Sequence, residues 1–229
     1  FLLRPERASA DALLEFGSVD ALPSDIDVMI DCAGHSALTA YGPALLARGT
    51  DVITVSLGAL ADPDVEAALK EAARQGHAKL HLASGAIGAL DCLRAAAVGA
   101  LESVTYTGRK PPQGWIGSPA ETMLDLSALT QGAHTHFEGT ARQAALAYPK
   151  NANVAAAVAL AGTGFDNTHV QLIADTDVTE NIHEVSAAGD FGTFQFRISG
   201  KALPDNPRSS ALAAMSVVAK LEQLNAPVS

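Results

Sequence analysis

The 229 residues, 48% of them apolar, suffice for one large domain or two ordinary ones with a true core. A net charge of −10 from scattered acids, with no lysine or arginine run, argues against nucleic acid and anionic membranes as partners, and leaves any anionic ligand to local donors and helix N-termini. No apolar stretch nears the roughly 18 residues of a membrane span, and the opening Phe1-Leu2-Leu3-Arg4-Pro5-Glu6-Arg7 has no secretory flank or cleavage site, so a cytoplasmic chain is expected.

In chain order, Phe1-Leu2-Leu3 reads as the end of a second strand, and Ser9 caps a helix from Ala10 to Phe16 that Gly17 stops. Asp27–Asp31, Asp51–Ser56 and Lys79–Ala83 follow as buried strands. Between them lie a helix over Ser36–Arg48, which Pro43 must kink or restart, and one capped by Asp62 that runs from Pro63 through Val65, Leu69 and Ala72 to Gly76. This alternation specifies α/β architecture, a Rossmann-type parallel sheet wound by helices. Its customary first strand and glycine-rich GxGxxG loop, a unit of about 30 residues, are absent from this chain. Trimming is expected rather than loss, because a parallel sheet without its central strand would bare an apolar edge. A complete chain that binds no dinucleotide is the alternative. Cys32 and Cys92 have neither a CxxC partner nor metal-ligand spacing and are expected as two reduced, mostly buried thiols.

From about Glu102 the character changes. Ser103–Gly108 and His134–Thr140 read as strands, Val154–Ala161 as a helix, and Thr168–Ala174, Asn181–Ala187 and Thr193–Ser199 as three strands close together. Strands joined by short turns predict a C-terminal α+β domain whose sheet has one open face. Asn206-Pro207 then introduces a helix over Arg208–Leu224, apolar at Leu212, Met215, Val218 and Ala219, expected to pack back on the first domain. The expected division is a dinucleotide-binding unit of residues 1–101 with 207–225, and an α+β unit of residues 102–206.

Each strand of the first unit ends in a small-residue loop: Cys32-Ala33-Gly34, Ser56-Leu57-Gly58-Ala59, and Ser84-Gly85-Ala86-Ile87-Gly88. Ligands of open α/β sheets sit beyond the carboxyl ends of strands, so these loops share one rim, and Ala33, Ser56 and Leu57 become candidate cofactor contacts. Asn151 and Asn153 stand where a helix begins and offer amides suited to a carboxamide or carboxylate; simple capping explains one asparagine better than two. Among seven histidines, His183 stands out. Its neighbours Ile182 and Val185 do not share a strand face, so His183 is expected to point away from the core beside Asn181, able to exchange a proton near neutral pH. A satisfied structural histidine is the alternative on pattern alone. His134 and His136 share a strand face in the manner of a metal pair, but with no third ligand nearby no metal site is expected.

Taken together, Ser56–Leu60, Ser84–Asp91, Tyr106-Thr107-Gly108-Arg109-Lys110-Pro111-Pro112, Phe137–Ala141, Tyr148–Val154 and Asn181–Glu184 resemble, in order and over essentially the whole chain, the L-aspartate dehydrogenase family. The resemblance implies a Rossmann domain, a catalytic α+β domain whose sheet forms a homodimer, and interconversion of L-aspartate and iminoaspartate, or of oxaloacetate and ammonia in the reductive direction. It further implies NAD or NADP as cofactor, with iminoaspartate feeding NAD biosynthesis. By position it makes His183 the active-site histidine and Ala86 and Asn153 cofactor contacts. Arg4 and Arg7 stand where NAD enzymes tend to place an acid for the ribose, so acceptance of NADP is expected. For the two substrate carboxylates, Arg109, Lys110, Lys150 and Arg142 are candidates by charge alone. The competing expectations are a related two-domain reductase, of the homoserine dehydrogenase or dihydrodipicolinate reductase sort, and a nucleotide-binding protein without catalysis.

Overall fold

Three short apolar runs, β1 (Val28–Asp31), β2 (Asp51–Thr54) and β3 (Leu80–Leu82), pair in parallel in that order. The computed structural model describes residues 15–149, 151–203 and 206–228. Arg4, Arg7, Lys150 and the strand expected at Phe1–Leu3 lie outside the described residues. So does the helix expected from Ala10, except for Glu15 and Phe16, neither of which is helical.

Parallel strands need crossovers, and the helices α1 (His35–Ala47) and α2 (Pro63–Gly76) supply them. Asp62 caps α2 by accepting the Asp64 N–H, and Pro63 occupies the first turn, where no donor is missed. Pro43 neither stops nor restarts α1, which runs on through it as one helix. β2 is buried on both faces: Val52 packs with Leu38, Leu46 and Leu69 of α1 and α2, while Ile53 packs with Ala83 and Val217 on the other side.

Val217 belongs to α7 (Ala211–Asn225), the last helix, which does return to the first sheet. Its buried face differs from expectation. Ser216 and Val217 are buried with Leu221 packed beside them, whereas Met215 and Val218 are 62% and 56% exposed. The helix also starts later, with Ser210 as its capping residue rather than Asn206.

The second sheet is mixed, in the order β5 (Ala133–Thr140), β6 (His169–Asp175), β4 (Leu101–Lys110), β7 (Asn181–Gly189), β8 (Gly192–Gly200). β4 runs parallel to β6 and antiparallel to β7. One face carries Val104, Tyr106, Leu172, Val185 and Ala187 into the main core. Against it lie α3 (Leu90–Ala96), α5 (Ala141–Ala147) and above all α6 (Asn153–Ala161), in which only Asn153 and Leu160 escape full burial. The opposite face shows Thr105, Thr107, Ser186, Gln195 and Arg197, half-buried or exposed. A four-residue helix α4 (Ala120–Met123) lies in the long loop before β5, and β9 (Ala202–Leu203) and β10 (Asn206–Ser210) form a small ribbon leading to α7.

Two expectations fail here for identifiable reasons. Both cysteines are free and exposed rather than buried. Leu90, Leu93 and Ala96 take the inner face of α3, so position 92 falls outside, and Cys32 sits in the loop beyond β1. The shared face of His134 and His136 is broken by a register shift between Thr135 and Phe137. His136 is buried against Trp115 and Tyr148, while His134 bonds the Gln131 carbonyl.

Candidate active site

The carboxyl ends of β2 and β3, the start of α6 and the facing strands β4 and β7 enclose a cavity of about 180 Å³. Leu57 and Ala86 line it from the first sheet's side, Asn153 from the start of α6, and Lys110, Asn151 and His183 complete it. Ala33 and Ser56 do not. Ala33 is exposed on its loop, where its N–H bonds Asp31, and Ser56 is 1% exposed beneath the turn of 3-10 helix that follows it. A larger groove of about 1120 Å³ runs between residues 111–129 and 176–179, but it offers no histidine, lysine or arginine and carries the acids Glu121 and Asp125. A dicarboxylate would find no cation there.

His183 is 4% exposed and shares its face with Val185 and Ala187, so it points toward the core side of the sheet, not away from it. What spares it from being a packed core residue is the register. It stands opposite Gly108, and a Cβ at Gly108 would meet the Tyr106 hydroxyl at 2.7 Å. The bare glycine lets the Tyr106 ring lean along β4 until its hydroxyl reaches His183 Nδ1 at 2.8 Å. Nδ1 is thereby engaged, and Nε2 is the nitrogen left for proton exchange. Burial, aided by the nearby Lys110 charge, holds the imidazole down at about 4, so it is neutral at physiological pH. Burial raises the Tyr106 phenol above its ordinary range, and it stays protonated.

Lys110, two residues beyond Gly108 on the same face, is 9% exposed. Its ammonium donates to Asn151 Oδ1 at 2.9 Å and sits 4.9 Å from the centre of the Trp115 ring, with no carboxylate in ion-pair contact among the described residues. Burial lowers it to about 8. The other described candidates are committed elsewhere. Arg109 lies on the opposite face, paired with Asp175 at 2.6 Å, and Arg142 forks onto Asp166 and donates to the Ala61 carbonyl.

Neither asparagine caps α6; Ala152 holds that position without a side-chain bond. Asn151 instead serves Lys110, and Asn153 Oδ1 accepts the Gly58 N–H at 2.9 Å and contacts His35 Nε2 at 2.7 Å. The loop bearing Ala86 is held from behind by α7, whose buried Ser216 accepts the Gly85 N–H at 3.0 Å. Gly85 has φ +69°, a backbone conformation that suits glycine, and nothing lies within 4 Å of where its Cβ would be. Tyr106, Gly108 and His35 were not singled out by sequence. The available signal was a glycine two residues from a tyrosine within a strand, where both must share a face.

A family model described as aspartate dehydrogenase, C-terminal, matches residues 91–224. The L-aspartate dehydrogenase of Ruegeria pomeroyi is 60% identical over 211 residues, covering 92% of this chain and 76% of that protein. The chain belongs to the L-aspartate dehydrogenase family. The family's member from Ralstonia nicotianae is 52% identical over 195 residues, covering 85% of this chain and 72% of its own length. Aspartate dehydrogenase from Thermotoga maritima superposes with a TM-score of 0.78 at 26% identity, spanning 97% of this chain and 86% of that one. Residues 4–83 also match a model described as homoserine dehydrogenase, NAD binding domain. An archaeal homoserine dehydrogenase in complex with NADPH superposes at a TM-score of 0.51 and 10% identity, a likeness of fold alone. Within the L-aspartate dehydrogenase family, then, the first sheet is a dinucleotide-binding Rossmann-type unit and the second belongs to the family's C-terminal domain.

Proposed function

We propose that the cavity is the nicotinamide end of an NAD(P)-dependent L-aspartate dehydrogenase that interconverts L-aspartate and iminoaspartate, and oxaloacetate with ammonia in the reductive direction. One observation carries this: a neutral buried imidazole and a buried ammonium with no acidic partner among the described residues face the dinucleotide-side loops across a single small cavity. The groups present fit a nicotinamide, because Asn153 Nδ2 has no acceptor among the described residues and shares the cavity lining with Ala86 and with Gly85, which has open space at its Cβ position. When bound, NAD or NADP accepts or donates the hydride. Ala86, Asn153 and Leu57 line its site, with Ala33 and Ser56 supporting the rim.

Lys110 binds a substrate carboxylate, which supplies the counter-charge the fold withholds. His183 is the general base toward water. Nε2 takes a proton as the water oxygen bonds the imine carbon, and in reverse returns it to the departing carbinolamine hydroxyl. The Tyr106 hydroxyl oxygen accepts Nδ1–H, fixing the ring so that the unprotonated Nε2 faces the substrate. Residues 1–101 with 207–225 hold the dinucleotide, and residues 102–206 carry catalysis. The open face with Thr105, Ser186 and Gln195 receives a second copy to form a homodimer. The enzyme works in the cytoplasm and supplies iminoaspartate to NAD biosynthesis, and no helix among the described residues is long and apolar enough to cross a membrane.

The test is L-aspartate-dependent reduction of NAD⁺ and NADP⁺ by the purified protein, alongside His183→Ala. The variant is expected to lose about 10²-fold or more in kcat with an unchanged circular dichroism spectrum. Normal turnover by that variant removes His183 from the chemistry.

A further inference from the structure

Asn153 is gripped by two groups distant in the chain. Its Oδ1 lies 2.9 Å from the Gly58 backbone nitrogen and 2.7 Å from His35 Nε2. A backbone N–H only donates, so the amide atom facing it is the oxygen, and His35 Nε2 must then carry the proton it shares with that same oxygen. Both lone pairs of Oδ1 are thus taken. Asn153 Nδ2 is the polar atom left over, on a side chain that lines the cavity.

The approach is close enough that a side chain at position 58 would have to displace His35. A Cβ on Gly58 would stand 2.5 Å from His35 Cε1 and 3.2 Å from Asn153 Oδ1. His35 is the first residue of α1, directly after Gly34, whose φ of +95° turns the chain off the end of β1. One side-chain oxygen therefore joins the starts of α1 and α6 and the turn after β2, and of these segments Asn153 and Leu57 line the cavity.

We infer that His35 is a positioning residue for the cofactor: by donating to Asn153 Oδ1 it fixes the amide so that Nδ2–H is offered to the carboxamide oxygen of the nicotinamide. Without this donor the amide is held by the Gly58 N–H alone and can rock about that one bond, so that Nδ2–H is no longer sharply aimed. The inference rests on the placement of the nicotinamide beside Asn153 proposed above.

Calorimetric titration of NADH into the purified protein tests it, using the parent, His35→Phe, His35→Gln, Asn153→Ala, Gly58→Ala and the His35→Phe/Asn153→Ala double variant. Losing one oriented hydrogen bond is expected to raise Kd about tenfold in Asn153→Ala and in His35→Phe. The double variant should be no weaker than Asn153→Ala alone, since His35 acts only through that amide. His35→Gln, whose amide nitrogen can donate to the same oxygen, should bind within about threefold of the parent, and Gly58→Ala should resemble His35→Phe. Parent-like binding by His35→Phe while Asn153→Ala is weakened overturns the role of His35 and leaves the cofactor placement standing. Losses that add in the double variant overturn it too, because His35 would then act through general structure. Parent-like binding by Asn153→Ala overturns both the inference and the placement beneath it.

Discussion

Lys110 is held as a charge in waiting. Its ammonium has an amide oxygen and an aromatic face for company but no described carboxylate within ion-pair reach, and burial has already lowered it to about 8. Only the protonated form binds an anion, so dicarboxylate affinity is present below about pH 8 and lost as pH rises through it. Succinate is a suitable probe, because its own carboxyls stay ionised across that window. Its inhibition constant against L-aspartate is expected to rise above about pH 8, and Lys110→Met should weaken it by about 10- to 100-fold at neutral pH, the worth of a charge-assisted hydrogen bond. An inhibition constant that stays flat to high pH removes Lys110 from substrate binding. Sequence named four cations and had no means of ranking them, for what separates Lys110 from Arg109 is the face of β4 each occupies, and both arginines, Arg142 on α5 included, already have an acid at hand. The same holds for the pairs Tyr106 with His183, 77 residues apart, and His35 with Asn153, 118 apart. His183 and Asn153 could be picked out locally, but Tyr106 and His35 could not, and only the folded chain brings the partners together.

At the scale of elements, the strands were legible because β-branched runs bounded by small residues have few other uses, and α2 because its cap and first-turn proline mark its start. The face of α7 was not. Side-chain size favoured Met215 and Val218, yet the helix approaches the Gly85 loop and β2 through Ala213, Ser216 and Val217, where smaller groups allow contact and a hydroxyl satisfies the loop. α6 shows the same preference more strongly. Ala155, Ala156 and Val158 are 0% exposed, so small side chains on every face let it fit between the turn after β2 and the second sheet. Enlarging one should force its neighbours off their rotamers: Ala156→Leu is expected to cost about 1–3 kcal/mol and lower Tm by about 2–4 °C per kcal/mol. Thermal unfolding followed by circular dichroism reads this directly, and an unchanged midpoint would mean that the helix has room around it.

For the whole molecule, the buried rings carry a cost in acid. His183 and His136 both fall from the ordinary 6.5 to about 4, chiefly through burial and further through Lys110. Between those values the unfolded chain binds protons that the folded one refuses, so stability is full above about pH 6.5 and declines as pH falls toward 4. Each ring contributes on the order of 3 kcal/mol across that window. Lys110 acts in the same sense at high pH, where the unfolded lysine keeps its proton to about 10.5 and the folded one only to about 8, so stability again rises with pH across that interval. Urea unfolding at a series of pH values should show a midpoint falling from pH 6.5 to 4. A midpoint constant over that range would show that the rings accept protons in the folded state.

The chain passes between its two sheets twice, once from α3 into β4 and once from β10 into α7, and the second passage ends with Ser216 bonded to the Gly85 loop. Between those crossings one buried cluster runs from Leu57, Leu60, Ala86 and Ile87 of the first lobe to Val104, Tyr106, Val154 and Val185 of the second, so the two share an interior instead of meeting at a bare seam. A volume change anywhere along it is transmitted to both walls of the cavity at once.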